Sequence, residues 1–253
     1  MKTAILTGAS SGMGLEFARQ LKDVFPEIEC LWLIARRRDK LEEAAKELNG
    51  LHVEILPMDL CSLADLEKLG EKLREEKPDV ALLINNAGCG YMGFTGEGDV
   101  AEHIRMTDLN VRALTVVTHM VLPYMSKGGR VLNSSSIASF CPNGRMNTYS
   151  ASKAYVTSFT RCLAFELKGK GITATAICPG PMETEFLDAG KIRGKSKDFD
   201  SLPRCNPQKT ALLALKAAKA GKVICTPTAF YKLYRVLAKV LPHALVVHLA
   251  KCY

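Results

Sequence analysis

No stretch of this 253-residue sequence supplies the roughly 20 consecutive apolar residues that cross a bilayer. Its start enters a short apolar strand directly, with no signal-peptide h-region, so the chain is expected to be soluble and cytoplasmic. It has no Cys-x-x-Cys pair and no Cys/His spacing suited to zinc. The nine cysteines (Cys30, Cys61, Cys89, Cys141, Cys162, Cys178, Cys205, Cys225 and Cys252) are scattered, and reduced thiols with no metal are the simplest account. Tandem repeats and low-complexity linkers are also missing. Basic residues are not interleaved with stacking aromatics and match no nucleic-acid module, so a nucleic-acid partner is not expected.

Acidic residues are scarce near the end. Residues 187–253 hold 13 Lys/Arg against 3 Asp, a local charge of +10 in a chain whose net charge is +8. An anionic partner, a membrane surface, an anionic substrate or a plain solvated face all suit such asymmetry.

What the chain does have is a 47% hydrophobic composition, enough to core one large α/β domain. Apolar, β-branched runs at 3–7, 30–35, 52–56, 80–84, 130–134, 172–178 and 222–225 read as strands. Segments of helical period at 14–24, 38–48, 63–76, 100–125, 148–167 and 208–219 alternate with them. That order predicts right-handed β-α-β crossovers in a doubly wound, Rossmann-like parallel sheet of about seven strands. The one long irregular stretch, 179–207, lies beyond a strand C-terminus, the edge where such sheets bind ligands, and reads as a substrate loop.

The first strand runs into Gly8-Ala9-Ser10-Ser11-Gly12-Met13-Gly14, after which a helix begins. Glycines there permit a tight turn, and the helix N-terminus presents N–H groups to a pyrophosphate. At the end of the second strand an acid would bind the ribose 2′-OH of NAD, but the sequence reads Ile34-Ala35-Arg36-Arg37-Arg38. Cations at a helix start are unfavourable without an anion nearby, so Arg36, with Ser10 as second donor, points to the 2′-phosphate of NADP. Asp59-Leu60 follows the third strand, where the carboxylate either accepts the adenine amino group or caps the helix from Leu63. Asn85-Asn86-Ala87-Gly88 follows the fourth, with small residues that let backbone approach the adenine ribose, or simply form a turn.

Tyr149 and Lys153 stand at i, i+4 on one helix face, where an ammonium favours the phenolate that a base needs. The same spacing also describes an ordinary surface pair. The fifth strand ends in Ser134-Ser135-Ser136, whose hydroxyls reach the same sheet edge. Asn110, inside the helix at 100–125, is either simply exposed or holds a water through which Lys153 relays protons.

Taken together, Thr7-Gly8-Ala9-Ser10-Ser11-Gly12-Met13-Gly14, Asp59, Asn85-Asn86-Ala87-Gly88, Asn110, Ser136, Tyr149, Lys153 and Pro179-Gly180-Pro181-Met182-Glu183-Thr184 resemble the short-chain dehydrogenase/reductase family over essentially the whole chain. The 13-position gap from Ser136 to Tyr149 matches that family and selects Ser136 over its neighbours. The resemblance implies a catalytic tetrad of Asn110, Ser136, Tyr149 and Lys153. It also implies a nicotinamide site built from Pro179, Gly180, the Met182 backbone, Thr184 and Lys153, and a homo-oligomer packed around the long helices. The implied reaction is NADP(H)-dependent interconversion of a secondary alcohol and a ketone. Tyr91, Met92, Phe94, Cys141, Met146, Phe186 and Leu187 are candidate pocket residues, mostly apolar, which suits a steroid, bile acid or fatty-acyl ketone. The alternative is a nucleotide-binding regulatory protein or membrane-associated scaffold without turnover.

One departure is the tail at 230–253, an extension interrupted by Pro242. Phe230, Leu233, Tyr234, Leu237, Val240 and Leu241 fall at helical spacing, with Lys232, Arg235 and Lys239 between them. Similar tails occur in some relatives that act on lipidic substrates. The segment is expected to rest on its own domain, on a second subunit, or peripherally on a membrane.

Overall fold

The computed structural model describes residues 1–249, so the last tail positions, Lys251 and Cys252 among them, lie outside the described residues. Seven strands form one sheet: β1 (Lys2–Thr7), β2 (Cys30–Ala35), β3 (His52–Pro57), β4 (Asp79–Asn85), β5 (Arg130–Ser134), β6 (Thr173–Ile177) and β7 (Ile224–Cys225). Their order is β3-β2-β1-β4-β5-β6-β7, and every pairing is parallel. Parallel neighbours require crossovers, and the crossovers are helices that cover both faces.

Side-chain alternation along each strand feeds two separate cores. Ala4 and Leu6 of β1, with Leu31 and Leu33 of β2, pack under α1 (Gly12–Arg19), α2 (Leu21–Val24), α3 (Arg38–Lys46) and α10 (Pro207–Lys219). Ile5, Trp32 and Leu83 face the other way, onto α4 (Leu63–Glu76), α6 (Leu114–Val121) and α7 (Asn147–Glu166). The chain reverses direction of growth between β1 and β4, and the strand C-termini at that point frame the cleft.

Several helices differ from the sequence expectation. The segment at 14–24 breaks at Gln20, whose side-chain amide donates to Glu16 O and, across to α10, Gln208 O. The expected helix at 100–125 is α5 (Val100–Thr107), a π-helical turn at Asp108–Ala113, α6, and a 3-10 turn at Leu122–Tyr124. The π turn widens the coil by one residue, which hydropathy periodicity cannot register. Residues 179–207 are not simply irregular: they hold α8 (Glu185–Ala189) and α9 (Lys197–Ser201). The Ser196 hydroxyl caps α9 by accepting from Phe199 N, with Asp198 in the first turn. After β7 the extension folds as α11 (Ala229–Val240) and α12 (His243–Leu249), separated at Leu241–Pro242 as a proline break requires.

Candidate active site

At the C-terminal ends of β1 and β4 a cleft of about 450 Å³ opens, and the glycine turn forms its floor. Gly8 adopts a left-handed φ of 69°. A Cβ on Gly14 would lie 1.9 Å from Gly8 O, so helix α1 reaches this close to the turn only with glycine there. The turn is tied to β4: Thr7 Oγ1 accepts from Asn86 N and Ala87 N at 3.0 and 3.1 Å, and Asn86 Nδ2 donates to Gly8 O at 3.1 Å. Ser134 Oγ donates to Asn86 Oδ1, extending the tie to β5. Backbone N–H groups of Ser10 through Gly14 are thereby presented at a helix start, the chemistry a pyrophosphate needs.

The three arginines of the sequence separate in space. Arg36 lines the cleft and makes no hydrogen bond or ion pair among the described residues, leaving a guanidinium with no carboxylate on it. Arg37 also lines the cleft but is engaged, donating to Ser10 Oγ at 3.3 Å and to Glu185 Oε2 at 2.8 Å. That ion pair joins the β2–α3 turn to α8 and holds the Glu185 carboxyl below the usual carboxylate range. Arg38 turns away onto Glu42. A cradle that a Cβ would fill, beside an uncompensated cation, fits a dinucleotide carrying a terminal phosphate. Leu60 and Asp59 line the same cleft. Asp59 Oδ1 accepts from Cys61 N, and the cap of α4 is Ser62, which corrects the idea that Asp59 caps that helix.

At the other end of the cleft, α7 brings Tyr149 and Lys153 under β5. Ser136 sits beside the Tyr149 phenol and favours its ionised form, while its hydroxyl oxygen accepts from Ala138 N at 3.2 Å. Lys153 is buried, its Nζ donating to Ser134 O at 2.9 Å and lying 5.7 Å from the Tyr149 ring centre. The pair is therefore not a surface pair. Burial pushes the Tyr149 phenol up to about 12, against the opposing pull of Ser136, and burial pulls the Lys153 ammonium down to about 8. In the protein alone the phenolate is therefore not the favoured form: desolvation is the largest influence on the phenol, and the Lys153 ammonium is not among the groups that shift it.

Asn110 is buried, not exposed, and the π turn aims it inward. Its Oδ1 accepts from Cys89 N at 2.9 Å, and its Nδ2 donates to Cys89 O and Ser152 Oγ. Both amide protons are committed, so the side chain clamps the Gly88–Cys89 backbone against α7 and has no donor left for a relay water.

Thr184 follows β6 and packs 3.4 Å from where a Gly12 Cβ would be, which sets it and Met182 at the cleft wall with Pro179 and Gly180. Of the candidate pocket residues, Met146, Phe186 and Leu187 line the cleft. Tyr91, Met92, Phe94 and Cys141 do not. Met92 is core, Tyr91 stacks edge-on against His103, Phe94 is exposed under Arg145, and Cys141 packs with Ala238 and Val246. Phe199 and Leu202 line it instead, two residues missed because the loop was read as irregular. The capping signal at Ser196 was their available trace.

Away from the cleft, Cys30, His52 and Glu54 bring ligand atoms within 4.8 Å of one another. Lys72 is ion-paired to that Glu54, and its ammonium opposes a second cation there. The eight described cysteines are free thiols.

Residues 2–191 match the family model described as short chain dehydrogenase. The chain is 34% identical over 187 residues to sulfoacetaldehyde reductase 2 of Chromohalobacter salexigens, covering 72% of this chain and 73% of that one. It is 31% identical over 232 residues to the fatty acyl-CoA reductase of Acinetobacter baylyi, covering 89% and 76%. In three dimensions it is similar to a short-chain dehydrogenase from Sphingobium yanoikuyae in complex with NADPH, with a TM-score of 0.79, 27% identity, and 96% and 98% of the two chains covered.

Proposed function

The chain belongs to the short-chain dehydrogenase family, and from that premise we propose that it interconverts a secondary alcohol and a ketone with NADP(H), on an apolar substrate such as a steroid, bile acid or fatty-acyl ketone. One observation carries the reading: a phenol, a serine hydroxyl and a buried ammonium line the same cleft as the glycine turn. NADP(H), when bound, supplies or accepts the hydride. Tyr149 gives its proton to the carbonyl oxygen in reduction and takes it from the alcohol in oxidation. Ser136 donates a hydrogen bond to the same oxygen and steadies its developing charge. Lys153 would hold the nicotinamide ribose, and it supplies positive charge beside the phenol. Met182 and Thr184 would hold the cofactor's carboxamide, Asn86, Ala87 and Gly88 its adenine ribose, and Asp59 with Leu60 its adenine.

The preference for NADP(H) rests on Arg36, assisted by Ser10 and Arg37. The apolar substrate is supported by Met146, Phe186, Leu187, Phe199 and Leu202 in the cleft wall. We infer a cytoplasmic homo-oligomer packed through the long helices, a reading supported by the exposed Ile104 of α5 and Phe165 of α7.

Oxidation of NADPH and of NADH, followed with a panel of apolar ketones, tests the proposal. Turnover with at least one ketone and a higher kcat/KM with NADPH is expected. Tight NADPH binding with no turnover on any ketone overturns it and favours the nucleotide-binding alternative.

A further inference from the structure

Helix α11 has two apolar faces, and the domain covers one. Tyr231 is fully buried, its ring filling the space where a Gly180 side chain would be and its hydroxyl donating to Pro203 O at 2.6 Å. Ala238 is buried with Cys141 and Val246, and Tyr234 and Leu241 pack on the same cluster. The outer face carries Phe230, Leu233, Val236, Leu237 and Val240, each between 46% and 76% exposed. They succeed one another at i, i+3, i+4 spacing and form one stripe. Single exposed apolar side chains are ordinary on a protein surface, but five on one twelve-residue helix are a patch. Leu245 and Val247 of α12 are exposed beyond it.

The charge around the stripe narrows what meets it. No Asp or Glu occurs after Asp200, while nine Lys/Arg do. On α11, Lys232 and Lys239 are exposed beside the stripe. A second copy docked face to face through this helix would bring those lysines together with no carboxylate on α11 or α12 to pair them, at an electrostatic cost. Whatever covers the stripe must also accept five apolar side chains along one helix face. An anionic lipid surface meets both conditions, since acyl chains accept apolar side chains of any outline and headgroups accept the lysines.

We propose that α11 lays this stripe on an anionic lipid surface as a peripheral contact. The helix is too short to span, and among the described residues no helix is long and apolar enough to cross a membrane. Its inner face sits on Gly180 and Ile137, both of which line the cleft, so the docked helix stands next to the substrate end of the protein. The inference depends on the exposed stripe and its charges, independently of the cofactor.

Co-sedimentation tests it, using the full chain with vesicles of equal parts phosphatidylcholine and phosphatidylglycerol, and with phosphatidylcholine alone. At low salt the protein is expected to pellet with the anionic vesicles, to be released by high salt, and to stay in the supernatant with the neutral ones. Leu233→Asp with Leu237→Asp should abolish pelleting, and Lys232→Ala with Lys239→Ala should weaken partition about tenfold or more. These side chains are solvent-exposed, so circular dichroism and thermal midpoint are expected to be unchanged. Val240→Asp, at the most exposed stripe position, serves as the second variant should the double substitution misfold. Failure of the full chain to pellet at low salt overturns the proposal, as does pelleting that every stripe variant retains. Sedimentation velocity separates the rival occupant: a dimer that the stripe variants convert to monomer, with no vesicle binding, assigns the face to a second copy.

Discussion

Tyr149 carries a proton that neutral water does not remove, since burial holds its phenol up at about 12, while Lys153 beside it loses its proton near pH 8. In ketone reduction the phenol is then in the required form throughout, and the descending limb belongs to Lys153: kcat/KM is expected to fall above about pH 8. Oxidation needs the phenolate and is expected to rise with pH over the same range. Lys153→Arg keeps its charge at all these pH values and should remove the descending limb while lowering the rate; a limb that persists in this variant assigns it to another group. Tyr149→Phe deletes the transferable proton and almost no volume, so turnover should drop by about a hundredfold to ten-thousandfold with NADPH affinity nearly intact, as stopped-flow and fluorescence titration would read. Arg36→Ala should weaken NADPH by about tenfold to a hundredfold and leave NADH almost unchanged, which titration with both cofactors measures. Equal loss for both would place the 2′-phosphate elsewhere.

Elements position these residues through a few close approaches. Helix α1 meets the turn only because Gly14 has no side chain, and the π turn rotates Asn110 inward to clamp the Gly88–Cys89 backbone. Helix α11 is seated the same way, on Gly180. A Cβ there would lie 2.2 Å from the Tyr231 ring, a contact relieved only by moving the helix or the strand exit. Gly180→Ala is expected to cost about 1–3 kcal/mol of overpacking. Thermal melting should show a lower midpoint, by about 2–4 °C per kcal/mol for a chain of this size, with faster amide exchange in α11. An unchanged midpoint would mean that α11 is not held by this contact. The entry to α11 is itself tight: Thr228 takes a φ of 58° and its hydroxyl accepts from Tyr231 N, so the capping bond is made from a backbone that a β-branched residue adopts at a cost.

At the scale of the molecule, the cleft belongs to both halves of the sheet, with the glycine turn on β1, the Asn86 segment on β4 and Ser136 after β5. A dinucleotide lying across them should stabilise the whole domain: at a hundredfold excess over its Kd, NADPH adds about 2.7 kcal/mol and lifts the midpoint by about 5–10 °C in a single transition. Two transitions, with only one shifted, would contradict a cleft shared by the halves. The strands were legible in the sequence because burial on both faces writes continuous apolar runs, and the turn at Gly8 to Gly14 was legible because backbone geometry admits few other residues. Residue type and local spacing also set Tyr149 and Lys153 on one helix face and stripped the end of β2 of acid. Local spacing could not tell which apolar side chains face the cleft, so Met92 was read as wall and Phe199 was passed over, nor could it detect the extra residue of the π turn. It read α11 as amphipathic and grouped Tyr234 and Leu241 on one apolar face with Leu233, whereas packing took those two inward and left Leu233 outside with Val236. Only the tertiary structure decided these points, because burial is a relation between segments distant along the chain, and the burial that moves the Tyr149 phenol and the Lys153 ammonium exists only once those segments have met.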